Sequence, residues 1–167
     1  MKTLGTILFL LYTNLLAPAN KPVEKIDLNR FAGKWYSLYS IPTMYDKGSR
    51  ETTTNYTLNK DGYYNVLTTC KKGDEGKVSN YNSKLFPVED KPGELKAQFL
   101  WPFKVDYWVI ELGDDYQYVV VGHPDHKFLF IMSRKPAMDK KLYDEIVARC
   151  KAKGYEVAKL TSQQHHG

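Results

Sequence analysis

A glycine, a tryptophan two residues on and an arginine near the far end of the chain constrain this fold more than any other feature. Gly33-Lys34-Trp35-Tyr36 opens the first strand-like run, and Ser133-Arg134 closes the last run of the same array. Glycine lets the backbone bend tightly at that point while the large indole turns inward. An arginine on the inner face of the final strand can lay its guanidinium flat on the indole, a contact worth about 0.5–2 kcal/mol. A pair drawn from both ends of an array ties those ends together. Gly33, Trp35 and Arg134 therefore predict the closed base of a barrel.

Between these marks the chain alternates short strand-like runs with turn formers at a spacing typical of sandwiches and barrels. The runs are Lys34–Ile41, Glu51–Leu58, Tyr63–Cys70, Lys77–Leu85, Glu94–Phe99, Asp106–Leu112, Tyr116–Val121 and Phe128–Ser133. Asn59-Lys60-Asp61-Gly62, Lys91-Pro92-Gly93, Gly113-Asp114-Asp115 and His123-Pro124-Asp125 are among the links, and such residues favour turns. Hairpin-length links favour an eight-stranded up-and-down antiparallel barrel, which leaves no open edge. The longer link from Pro42 to Arg50 is a natural lid. In the last run, Phe128, Phe130, Met132 and Arg134 share one face and Leu129 and Ile131 the other, as period-two alternation requires. Apolar residues on both faces imply a covered outer wall. The cover is a C-terminal helix, Asp139 to Lys153, with Leu142, Tyr143, Ile146, Val147 and Cys150 on one face; Asp139 suits its cap and Gly154 its stop. Glu156–Leu160 is expected to pair back on the sheet as a strand.

Residues 1–19 read as an export leader: Lys2, an apolar stretch from Ile7 to Leu16, then Ala17-Pro18-Ala19 before Asn20. The stretch falls short of the roughly 20 apolar residues that span a bilayer. No cysteine lies near the cut, which excludes a lipobox lipoprotein. Residues 20–167 then form one domain, exported to a periplasm or secreted, with outer-membrane association left open. The net charge of +5 is dispersed among acids, so no basic stripe marks a nucleic-acid track, while weak peripheral contact with an anionic membrane remains allowed. The only two cysteines are Cys70 and Cys150. In an exported chain an even count predicts one disulfide. Closing a loop of about 80 residues would contribute about 4–5 kcal/mol in the chain-entropy picture.

These residues carry a family resemblance. Phe31-Ala32-Gly33-Lys34-Trp35-Tyr36 with Ile41-Pro42 resembles the first lipocalin motif, in the form of the bacterial lipocalin and apolipoprotein D branch. Asp114-Asp115-Tyr116 with Val119-Val120-Val121 is similar to the second motif, and Phe130-Ile131-Met132-Ser133-Arg134 to the third. The resemblance covers about residues 28–160. It implies an all-β barrel that holds a small hydrophobic ligand, commonly of the fatty acid or lysophospholipid class, at its open end.

The wall residues follow from parity: Tyr107 and Val109 on the sixth run, Phe130 and Met132 on the eighth, with Tyr56, Phe99 and Trp101 as weaker members. An acyl chain gains about 0.8 kcal/mol per buried methylene against such a wall. The competing reading of each is an ordinary core side chain. Glu111 shares the inward parity of Tyr107 and Val109; either a buried pair with Arg134 or a local bulge would relieve the cost of a buried carboxylate. Neither His123-Pro124-Asp125-His126 nor His165-His166 is expected to bind metal, and no cofactor is implied. Ser, His and Asp never fall in a nucleophile–base arrangement, so a non-catalytic lipid carrier is expected. The rivals are an enzyme working inside the barrel, which needs a reactive thiol or acid pair, and a solidly packed interaction module.

Overall fold

The computed structural model describes residues 18–44 and 46–165; the expected leader lies outside these except for Pro18 and Ala19. A short helix α1 (Leu28–Phe31), capped by the Asp27 carboxylate on the Asn29 and Arg30 N–H groups, leads into the barrel. Eight strands follow: β1 (Gly33–Ile41), β2 (Arg50–Leu58), β3 (Tyr64–Lys72), β4 (Lys77–Val88), β5 (Lys91–Leu100), β6 (Phe103–Leu112), β7 (Tyr118–Gly122) and β8 (Leu129–Ser133). Each pairs antiparallel with the next, and β1 pairs with both β2 and β8, which closes the barrel. Strand direction alternates, so the β1–β2, β3–β4, β5–β6 and β7–β8 connections share one end, opposite Trp35 and Arg134. That end is the mouth.

Two apolar layers result. Phe31, Trp35, Tyr56, Tyr64, Leu95, Val109 and Met132 belong to the interior. Ile110, Val120, Leu129 and Ile131 point outward, where helix α2 (Lys140–Ala152) covers them with Ile146 and Cys150. Asp139 caps α2 through the Lys141 and Leu142 N–H groups. The helix lies against β1 and β6–β8, and among the described residues no helix covers the outer face of β2–β4.

Four expectations are corrected. Lys91-Pro92-Gly93 is not a turn but the start of β5; the turn is Glu89-Asp90, with Asp90 at φ +58°. The strand expected from Tyr116 begins at Tyr118, because Tyr116 adopts φ +59° in the loop. Glu156–Leu160 is not a strand: Val157–Lys159 is one turn of 3-10 helix, and strand β9 (Thr161–Ser162) then pairs with β1 at Tyr39 and Ser40. The expected Cys70–Cys150 bond is not formed, and both thiols are buried and free. Cys70 shares the inward parity of Tyr64 and Val66 on β3, whereas Cys150 sits on the buried face of α2, outside another wall. An even cysteine count says nothing about which side of a barrel wall each occupies. Burial, and next to it the Glu111 carboxylate, pushes the Cys150 thiol up to about 12, so it stays protonated.

Candidate functional site

The base is built from the two ends of the array. The Arg134 guanidinium carbon lies 3.7 Å from the centre of the Trp35 ring. Its nitrogens donate to the carbonyls of Arg30 at 2.6 Å, Ala32 at 2.9 Å and Lys34 at 2.9 Å, and to that of Tyr116 at 3.3 Å. Trp35 Nε1 donates to the Phe31 carbonyl at 2.8 Å, and the Phe31 ring packs on Trp35, Tyr56 and Tyr64. Gly33 sits at φ +94°, and a Cβ there would meet the Arg134 guanidinium at 3.4 Å. A side chain at this position would be strained by its φ and would crowd the arginine. The base is sealed by aromatics and by one cation shared among backbone carbonyls.

Above the base the two sides of the barrel differ. On β5–β8, Tyr107, Val109, Val119, Val121, Phe128 and Met132 are buried in one cluster with Phe130 packed against it. Phe128 and Phe130 stack with centroids 5.1 Å apart. Tyr56 reaches across to Tyr107, hydroxyl to hydroxyl at 2.5 Å. Burial, then the neighbouring Tyr107, raises Tyr56 well above an ordinary phenol, and burial pushes Tyr107 up to about 12. Both stay neutral over the whole physiological range.

On β2–β4 the inward parity carries Thr54, Thr68, Cys70, Ser79, Tyr81 and Ser83, with Thr54 opposite Thr68 and Cys70 opposite Ser79. The Thr54 and Thr68 hydroxyls lie 3.5 Å apart. At the rim of this wall the Lys72 ammonium sits 5.0 Å from the centre of the Tyr81 ring, and Lys72 pairs with Lys77. The alternation within Tyr63–Cys70 and Lys77–Leu85 contains this hydroxyl wall, but a search for aromatic walls passes over it.

The expected wall residues separate into two groups. Tyr56, Tyr107, Val109, Phe130 and Met132 come together inside. Phe99 and Trp101 lie instead at the β5–β6 tip, where Phe99, Leu100, Trp101 and Phe103 are 63–81% exposed. The register between β5 and β6 shifts between Ala97 and Leu100, and this irregularity carries Trp101 over the outer face of the barrel. Glu111 takes the bulge: the β6–β7 register shifts between Val109 and Glu111. Its carboxylate faces outward, bound by Arg149 Nη2 at 2.6 Å and Nε at 3.0 Å and by the Tyr118 hydroxyl at 3.0 Å. It fastens α2 to the barrel.

A family of lipocalin-like domains matches residues 26–165. Temperature-induced lipocalin-1 of Arabidopsis thaliana is 32% identical over 147 residues, covering 83% of this chain and 78% of the relative. The outer membrane lipoprotein Blc of Vibrio cholerae is 29% identical over 142 residues, covering 84% and 83%. Among solved structures, insecticyanin of the tobacco hornworm Manduca sexta superposes with a TM-score of 0.72 at 20% identity, over 90% of this chain and 86% of that one. That last likeness concerns the fold alone.

Proposed function

The chain belongs to the lipocalin family, and from that premise we propose that it carries or stores an acyl lipid with an anionic head group, of the fatty acid or lysophospholipid class, without chemical change. Binding of small hydrophobic ligands is the family's common activity; the lipid class is the finer reading. One observation carries it: toward the mouth the interior is apolar on β5–β8 and hydroxyl-lined on β2–β4, with Lys72 and Lys77 at the rim of the polar wall. An acyl tail would lie against Tyr107, Val109, Phe130 and Met132, gaining about 0.8 kcal/mol per buried methylene. Its head group would stay at the mouth beside the hydroxyls and the lysines.

The exposed Phe99, Leu100 and Phe103 at the same mouth support contact with a membrane surface from which such a lipid is drawn. An exported, extracytoplasmic location fits this reading. The enzymatic alternative draws on the free, inward-facing Cys70. Among the described residues no histidine or carboxylate hydrogen-bonds to that thiol, so the activation that a nucleophile needs is lacking.

The test is displacement of a fluorescent fatty acid, paired with native mass spectrometry of the gently purified protein. The protein should retain a lipid, and Phe130→Asp should weaken probe binding at least tenfold, about 1.4 kcal/mol. Equal binding by the variant would remove Phe130 from the site, and no binding by either protein would overturn the carrier reading. Rapid modification of native Cys70 by a thiol reagent would favour the enzymatic alternative.

A further inference from the structure

The outer face of β2–β5 carries charged side chains at Lys71, Glu94 and Lys96, but one stretch of it is lined mainly by amides and hydroxyls and holds a single charged residue, Lys84. The strand register sets its side chains in rows. Thr57, Asn65, Lys84 and Gln98 form one, and Asn55, Leu67 and Asn82 form the next. Both rows face a shallow hollow of about 540 Å3, and Trp101 from the β5–β6 tip, 81% exposed, bounds it. Helix α2 covers the opposite side of the barrel, and among the described residues no helix packs on these side chains.

Asparagine is disfavoured in strands, yet three stand here together. The Asn65, Asn82 and Gln98 amides make no hydrogen bond among the described residues, while Asn55 Nδ2 reaches Thr57 Oγ1 at 3.3 Å. Each amide offers two donor hydrogens and an acceptor oxygen. Among the described residues that line the hollow the one cation, Lys84, lies 4.9 Å from the centre of the Tyr63 ring. An anionic ligand would find one cation, and an apolar ligand would find Leu67 and Trp101 amid amides. A neutral polyol fits better: each hydroxyl both donates and accepts, and a pyranose also has an apolar face to lay on an indole. We propose that this hollow binds a neutral saccharide, its ring on Trp101 and its hydroxyls on Asn65, Asn82 and Gln98. The sugar could be free or could be the head group of a glycolipid, and the chemistry of recognition is the same.

The site lies on the reverse of the sheet from the barrel interior and does not depend on the lipid reading. The test is titration of the 15N-labelled intact protein with maltotriose, cellotriose and triacetylchitotriose, followed through side-chain amide and indole resonances. In parallel, sedimentation is measured with phosphatidylcholine vesicles, with and without digalactosyldiacylglycerol. Resonances of Asn65, Asn82, Gln98 and Trp101 should shift with at least one sugar, saturating between about 0.1 and 10 mM. Trp101→Ala and Asn82→Ala should each weaken that binding at least tenfold. Asn82→Ala separates recognition of sugar from insertion of the apolar tip, and neither exposed position is required for folding. Binding to glycolipid vesicles alone, lost in Asn82→Ala, supports the proposal and assigns the head group as the source. Absence of shifts with all three sugars together with equal sedimentation by both vesicles overturns it, as does binding unaffected by the two substitutions.

Discussion

The wall formed by β6–β8 and the wall formed by β2–β4 belong to one antiparallel ladder, yet they obey opposite rules. The first is apolar on both faces: Val109, Val121 and Met132 look inward, and Ile110, Val120 and Ile131 look out beneath α2. The second is polar on much of both faces, hydroxyls within and amides without, and no helix covers it. The helix accounts for the contrast. A strand covered on both sides contributes stability by burial, whereas a bare strand is free to carry polar groups that recognise something else.

Arg134 ties the end of β8 to the start of β1, where the barrel closes at its base, so its loss should have the largest effect. Arg134→Ala would leave the Arg30, Ala32 and Lys34 carbonyls without their shared donor and uncover the Trp35 indole. A loss of about 4 kcal/mol in urea unfolding is expected, with acyl-probe affinity of the folded fraction unchanged. The walls themselves are compared by paired truncations. Ile131→Ala beneath α2 should cost about 3 kcal/mol, and Leu67→Ala on the bare outer face less than about 0.5 kcal/mol. Similar costs at both positions would erase the distinction between the walls. Glu111→Ala should cost about 1–2 kcal/mol by releasing Arg149 and Tyr118, and hydrogen exchange should show α2 opening more often while β2–β4 is unchanged.

The smallest effect expected is a pH dependence at the mouth. His123 is buried in the β7–β8 connection, and its Nδ1 accepts the Asp125 N–H at 3.0 Å, which requires a neutral ring. Burial, then the nearby Lys127, lowers its pKa. The unfolded chain therefore binds the proton more readily, and stability falls as the pH drops below about 6.5 toward the folded-state value. His123→Gln should remove this part of the acid-side decline when unfolding midpoints are compared between pH 7 and 5. Identical declines in both proteins would show that other groups carry it.

Much of this architecture is legible in the chain, and each legible part rests on local chemistry. Alternation along Phe128–Ser133 assigns both faces of β8, because a strand's period is two wherever the ladder is regular. Gly33, Trp35 and Arg134 announce the base, since only a bent strand start and an inward cation suit that contact. Asp139, the apolar stripe and Gly154 delimit α2 to within a residue or two. Parity also brings Tyr107, Val109, Phe130 and Met132 into one interior cluster.

The remaining features depend on how the ladder closes, and no local pattern records that. Bulges at Val109/Glu111 and between Ala97 and Leu100 break parity, sending Glu111 to Arg149 and Trp101 to the outer face. An extra residue in one strand is set by the mismatch between neighbours, which is a property of pairs of strands. The two cysteines remain free for a similar reason: an even count favours a bond in chains that are exported, but here α2 covers β6–β8 while Cys70 faces the interior from β3. Composition and periodicity determined that this chain would close into a barrel with a helix on its outside. Which wall the helix covers depends on how the closed ladder meets α2, and burial follows from it: β1 and β6–β8 are packed, while among the described residues no helix packs on the outer face of β2–β4, which stays polar.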